Sequence, residues 1–171
     1  MRMFKKTLSD LKRIFCIGPA GFLFTLLFWL GADIIEKQVS FPKMNVNPVF
    51  RIILMTMFSI DGIYLLIGSL YYLNPLKRGK VLITNGPFKY IRHPLYSSLI
   101  YSFTALLSLW FKSWILLFTV VPISLIWSRL VQKEEDYMVN KFGKKYLSYM
   151  EKTGQFLPSW NALKEEAETK S

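Results

Sequence analysis

Long uncharged apolar runs dominate this sequence and limit the folds open to it. From Ile14 to Ala32 no charged residue occurs for 19 positions, close to the roughly 20 residues that cross a bilayer core as a helix. A second run extends from Ile52 to Leu73 and is interrupted by Asp61 alone. Two shorter runs follow, Leu95 to Phe111 and Ser113 to Ser128. Together they predict an all-α, polytopic membrane bundle of about four transmembrane helices.

Boundaries between the runs divide a single membrane-embedded domain into segments. Lys112 alone separates the last two runs, which predicts a tight antiparallel hairpin. Pro122 should kink the last span, and Gly143 should interrupt the charged, aromatic helix that follows it. We expect transmembrane helices at 14–35, 50–73, 95–111 and 113–130, a polar segment at 74–94, and a cytoplasmic helix and tail at 131–160.

Composition supports a membrane location. Hydrophobic residues make up 52% of the chain, yet its formal net charge is +11. A bilayer reconciles these values, because lipid covers the apolar helices while Lys and Arg collect in cytoplasmic loops. The basic residues are dispersed between the spans, which argues against a nucleic-acid partner. They enrich the N-terminal segment, the polar segment and the C-terminal tail, so the positive-inside rule predicts that both termini are cytoplasmic.

Metal and disulfide chemistry have little support in this chain. Cys16 is the one cysteine and His93 the one histidine. A zinc site of the usual Cys or His kind cannot be assembled from them, and Cys16 has no partner for a disulfide. We therefore expect no metal.

The polar block from Asn74 to Tyr96 has two interpretations. It holds five basic residues and no acid, as a positive-inside loop does. Alternatively, Arg92-His93-Pro94-x-Tyr96 places several hydrogen-bonding side chains at a membrane boundary. Pro94 forces His93 away from α-helical geometry and suits the first turn of the third span. Free N–H groups at that helix start favour a carboxylate or phosphate.

Acidic residues offer two further candidates. In an antiparallel hairpin, Glu134 emerges beside His93, which predicts that the two approach each other; the alternative is that Glu134 and Glu135 lie on a solvated helix face. Asp61 is costly inside a span, by about 2.5–3.5 kcal/mol. It either contacts a ligand or hydrogen-bonds to a neighbouring span, and Ser59 and Gly62 allow the close approach. The tryptophans are interpreted as interfacial anchors.

Two groups of motifs resemble the isoprenylcysteine carboxyl methyltransferases and the related phospholipid methyltransferases. The first is Gly86-Pro87-Phe88, then Arg92-His93-Pro94-Leu95-Tyr96, within the stretch from Lys80 to Tyr96. The second is Glu134-Glu135, followed by Phe142-Gly143-x-x-Tyr146-x-x-Tyr149 and Leu157-Pro158. The resemblance covers roughly the C-terminal half of the chain.

That resemblance implies a membrane enzyme that transfers a methyl group from S-adenosylmethionine to a lipid-like or isoprenylcysteine-type carboxylate arriving from the bilayer. Glu134 is implied to complement the cationic cofactor, and Arg129 or Arg92 to orient an anionic acceptor, which makes these three the catalytic candidates. The cofactor contacts carried over by position are Lys80, Val81, Leu82, Ile83, Phe88, His93, Pro94, Leu95, Tyr96 and Glu134.

Two positions depart from the family pattern. Leu130 stands where a substrate-contacting arginine is expected, with Arg129 beside it, and Phe88 replaces a commoner tyrosine. Two other functions stay open: a membrane reductase of the sterol reductase kind, which uses NADPH, and a non-catalytic membrane interaction protein. The chain has no glycine-rich dinucleotide or phosphate loop, which argues against a soluble Rossmann-type methyltransferase.

Overall fold

Four long helices make up most of the molecule. The computed structural model describes residues 17–73 and 81–160. All four helices are long and apolar enough to cross a membrane, which confirms the predicted all-α polytopic bundle. Within the described residues, β-pairing is limited to an isolated bridge between Ile91 and Gly154. The helices are α1 (Ile17–Val39), α2 (Pro48–Tyr72), α3 (Pro94–Phe111) and α4 (Trp114–Phe142), followed by the short α5 (Lys144–Lys152).

The four long helices alternate in direction. Gly18, Leu73, Pro94 and Glu134 line a common cavity, so the starts of α1 and α3 and the ends of α2 and α4 share one end of the bundle. We call this the cavity end. α2 packs mainly against α3, and α1 packs against α4. The up-and-down order brings segments distant in sequence to the same end.

The turn between α3 and α4 lies at the opposite end and is tight, as the sequence predicts. Lys112 ends α3 in the left-handed conformation, with φ of 54°. The hydroxyl of Ser113 caps α4 by accepting a hydrogen bond from the Leu116 N–H at 3.0 Å. The α1–α2 loop closes over this turn, where the Met44 N–H donates to the Lys112 carbonyl at 2.8 Å.

The fourth helix differs from expectation, because it continues far past residue 130. Its 29 residues extend over roughly 43 Å, more than the ~30 Å of a bilayer core. Neither proline nor glycine occurs between Pro122 and Gly143, so the charged segment continues the span instead of forming a separate helix. Regular hydrogen bonding is interrupted at Thr119, one turn before Pro122, whose nitrogen has no proton to donate.

One tryptophan contradicts its interpretation as an interfacial anchor. Trp127 is 1% exposed and belongs to the core with Ile100 and Val131. Its indole N–H donates to the Thr25 hydroxyl at 2.9 Å. Its ring lies against Gly21, where a side chain would collide with it. Trp127 therefore joins α4 to α1, because a buried indole needs both close packing and a hydrogen-bond acceptor.

Asp61 makes the hydrogen bond to a neighbouring span that one of its two interpretations predicts. The Ser102 hydroxyl of α3 donates to the Asp61 carboxylate. Gly62 is buried at the same contact, which lets the two helices approach closely. Ser102 lies in a π-helical stretch of α3, Ser98–Phe103. Asp61 itself remains exposed on the outside of the bundle.

Candidate functional site

A short turn before α3 begins the site. Gly86 has φ of 61° and lies against the Tyr72 ring, so a residue with a β-carbon fits there poorly. It opens a 3₁₀ turn, Gly86–Lys89, that buries Phe88. The Tyr149 hydroxyl donates to the Phe88 carbonyl at 2.6 Å. The turn is thereby fixed between the end of α2 and α5.

Backbone hydrogen bonds then hold Arg92 and His93 against the segment that follows α5. The Arg92 N–H donates to the Gly154 carbonyl at 2.8 Å, and the His93 N–H donates to the Gln155 carbonyl at 3.1 Å. His93 has φ of −124° and ψ of 62°, outside the α-helical region, and Pro94 occupies the first turn of α3, as the sequence predicts. This pairing fixes where the His93 ring enters the bundle.

Arg92 and Glu135 form a buried ion pair beneath the site. The Nε of Arg92 donates to Oε1 of Glu135 at 2.8 Å, and the two side chains are 11% and 10% exposed. The guanidinium also donates to the carbonyls of Met150 and Thr153. Gln155 adds a further donor to Glu135 at 3.3 Å. Arg92 therefore joins α4, α5 and the segment after α5, because its fork of donors matches several oxygens at once.

His93 lies between two carboxylates. Its Nε2 is 3.2 Å from Oε1 of Glu135, and its Nδ1 is 3.6 Å from Oε2 of Glu134. The Tyr96 hydroxyl donates to Oε1 of Glu134 at 3.0 Å. The Glu134 and Glu135 side chains are 14% and 10% exposed, so the interpretation that they lie on a solvated helix face is wrong. The predicted approach of His93 and Glu134 is confirmed.

A cavity of about 390 Å³ opens above these side chains at the cavity end. One part of its wall is apolar and comes from Val81, Leu82 and Leu95. Another part is polar and comes from His93 and Glu134. Its volume falls in the range of ~300–1,000 Å³ typical of small-molecule sites. The cavity can therefore hold a ligand with both an apolar ring and a charged group.

Nine of the ten predicted cofactor contacts line this cavity. Lys80 is the tenth and lies outside the described residues. Of the two arginines assigned to the acceptor, Arg92 lines the cavity, whereas Arg129 is exposed and Leu130 is half-buried, and neither reaches it. The nine that line it are Val81, Leu82, Ile83, Phe88, His93, Pro94, Leu95, Tyr96 and Glu134.

Seven further lining residues were not assigned to the site from the sequence. Tyr146 and Tyr149 belong to the second group of sequence motifs. Their spacing on α5 did not indicate that both side chains line the cavity. Burial raises the pKa of both phenols well above the usual range, so they stay protonated as hydrogen-bond donors. The seven are Gly18, Pro19, Leu73, Tyr137, Met138, Tyr146 and Tyr149.

These features define a class: a helical membrane protein with an amphipathic cavity at one end of its bundle, lined on its polar side by His93 and the half-buried carboxylate of Glu134. The family model described as phospholipid methyltransferase matches residues 44–145, more than half of the 171 residues. The chain therefore belongs to the phospholipid methyltransferase family, a family of membrane methyltransferases of the type that the sequence motifs resemble. No curated protein matches the chain significantly.

Proposed function

We propose that this protein is an S-adenosylmethionine-dependent methyltransferase whose cofactor occupies the cavity and whose acceptor is a lipid-like molecule from the bilayer. The observation that carries this proposal is the meeting of nine predicted cofactor contacts in one cavity, eight from residues 81–96 and the ninth, Glu134, from α4. Membership of a methyltransferase family supports the same chemistry. The excess of Lys and Arg in the sequence before α1 and between α2 and α3 supports a cytoplasmic location for the site.

The residues present fit the chemical groups of S-adenosylmethionine. Val81, Leu82 and Leu95 provide apolar wall for an adenine ring. Glu134 supplies a carboxylate to complement positive charge, and it is held in place by Tyr96. When bound, S-adenosylmethionine supplies an activated methyl group on a sulfonium centre. The remaining contribution of the chain is to orient the acceptor and to exclude water, which together account for large accelerations when the nucleophile is already reactive.

The acceptor proposed from the sequence resemblance is a lipid-like or isoprenylcysteine-type carboxylate, methylated on oxygen. Among the described lining residues, Arg92 carries the one permanent positive charge. Its Nε and one terminal nitrogen are already engaged by Glu135 and by two backbone carbonyls. A carboxylate bound in the cavity must therefore use the remaining nitrogen of Arg92, since Arg129 does not reach the cavity, whereas a lipid amine needs no cation. The linkage of the transferred methyl group separates the two acceptor classes.

Methyl labelling tests the proposal. Membranes containing the protein are incubated with methyl-labelled S-adenosylmethionine and separated into lipid, protein and small-molecule fractions. Label released as methanol by mild alkali identifies a methyl ester, and alkali-stable label identifies an N-methyl product. Glu134→Gln should lose the labelling, while Glu151→Gln, on an exposed site of α5, should retain it.

Cofactor binding by the purified protein provides the second readout. Saturable binding of S-adenosylhomocysteine without binding of NADPH is the expected result. Binding of NADPH instead would indicate the reductase chemistry. Folded protein that binds neither, and membranes that incorporate no label, would indicate a non-catalytic role and overturn the proposal.

A further inference from the structure

The outer face of α2 carries polar groups where lipid alone offers no partner. Asp61 lies 13 residues after the start of α2 and 11 before its end, near the middle of the span. It is exposed, and so is Thr56. Ser102 is the described side chain that hydrogen-bonds to Asp61, from the inner side of the helix. An exposed carboxyl at mid-membrane depth is costly in lipid, so this face favours a partner that supplies a hydrogen bond there.

A heptad pattern runs along the same face. Taking Met57 as an a position makes Asp61 an e position and Thr56 a g position. The a and d positions from residue 53 to residue 67 are all large apolar or aromatic residues, each more than half exposed. They form a continuous seam with the spacing of a left-handed helix pair, the commonest arrangement in membranes. We call them the α2 seam: Ile53, Met57, Ile60, Tyr64 and Ile67.

We propose that two copies of this chain associate in the membrane through the α2 seam as a parallel pair. Two copies inserted with the same topology place their α2 helices parallel, with identical residues at identical depths. In such a pair a g side chain lies beside the e side chain of the next heptad on the other helix. Thr56 can then donate its hydroxyl proton to the partner's Asp61, and the symmetry repeats this bond.

A second copy fits these observations better than lipid or an unrelated helix. Acyl chains cover the seam but leave the free oxygen of Asp61 without a donor. An unrelated helix needs a donor at the matching depth and register. A second copy of this chain supplies such a donor, since Thr56 and Asp61 are five residues apart. A parallel heptad pair places residues with this separation, g on one helix and e on the other, side by side. The proposal does not depend on the identity of the cofactor or the acceptor.

Disulfide cross-linking in native membranes tests the pair directly. In a Cys16→Ser background, Ile53→Cys places a thiol at a d position, where the two Cα atoms of a helix pair come within disulfide range. Ile52→Cys is the matched control, since Ile52 is the neighbouring isoleucine, is 61% exposed against 56% for Ile53, and points away from the seam. Under mild oxidation we expect at least about five times more cross-linked dimer from Ile53→Cys than from Ile52→Cys.

A second variant keeps the test independent of folding. Asp61→Ala also removes the bond from Ser102, so Thr56→Val is the better probe, as it keeps the shape and removes one hydroxyl. Energy transfer between labelled copies should show about eightfold weaker association for Thr56→Val, because the variant removes both symmetry-related hydrogen bonds. Equal cross-linking at positions 52 and 53, no cross-linking at either, or unchanged association of Thr56→Val overturns the proposal.

Discussion

The hydroxyl of Tyr96 donates a hydrogen bond to the carboxylate of Glu134 at 3.0 Å, although 38 residues separate them in the chain. The Tyr96 ring also stacks on His93, with ring centroids 5.7 Å apart and planes 12° from parallel. On its other side, Tyr96 packs against Trp127 in the core. The direction of the Glu134 carboxylate is thus set by a side chain that is itself held by the core.

Replacing Tyr96 by Phe should weaken cofactor binding and leave the fold intact. The ring contacts remain, but Glu134 loses the donor that orients it. We expect the affinity for S-adenosylhomocysteine to fall about tenfold, as for loss of a hydrogen bond to a charged group. Titration calorimetry measures this, with Tyr71→Phe, exposed on α2, as the control. Equal affinity of wild type and Tyr96→Phe would contradict the orienting role.

Breaking the ion pair beneath the site should destabilise the protein. Glu135→Gln leaves the guanidinium of Arg92 buried with a weaker acceptor, which should cost about 3 kcal/mol of unfolding free energy. The exposed pair of Lys37 and Asp33, whose side chains are 75% and 51% exposed, is the control, and Asp33→Asn should change little. Thermal unfolding in detergent compares the variants. If Glu135→Gln loses no more unfolding free energy than Asp33→Asn, the contacts of Arg92 contribute no net stability.

Alkaline pH should lower stability through the two buried phenols. Burial raises the pKa of Tyr146 and Tyr149 in the folded protein, so above about pH 10 the unfolded chain ionises first. The two buried phenols contribute fully to folding stability below the pKa of tyrosine in the unfolded chain. This contribution is lost as the pH rises above that value. Tyr146→Phe should reduce the drop in melting temperature between pH 9 and pH 11, roughly by the part that one of the two buried phenols contributes. A drop as steep as that of wild type would contradict this origin.

Space at one glycine of α1 decides how closely α1 approaches α4. A β-carbon at Gly21 would lie 2.5 Å from the Trp127 ring, whereas one at Gly31 meets nothing within 4 Å. Gly21→Ala should therefore destabilise the protein by about 2 kcal/mol through overpacking. Gly31→Ala, in the same helix, should be neutral or slightly stabilising, because alanine favours helix. Thermal unfolding of both variants measures the difference, and equal effects would rule out this packing constraint.

Most of the architecture follows from local sequence properties. Uncharged runs of membrane-spanning length predicted the four long helices, and Lys112 predicted the hairpin turn. Pro94 predicted the unusual backbone at His93. These predictions succeed because the length of an apolar run, the geometry of proline and the position of a charge are local properties of the chain. The extent of α4 was not predicted, since a helix that leaves the bilayer does not have to end there.

The order of residues along the chain is enough to identify the side chains available for a site: one histidine, two adjacent glutamates and an apolar strip, in an order typical of a methyltransferase family. Their contacts, in contrast, depend on the three-dimensional packing of the helices. It turned Arg92 toward Glu135, left Arg129 outside the cavity and added Tyr146 and Tyr149 to the wall. The physical reason is that the polar block contacts α4 and α5 through side chains 42 to 61 positions away. Such partners depend on helix packing, which local sequence does not specify.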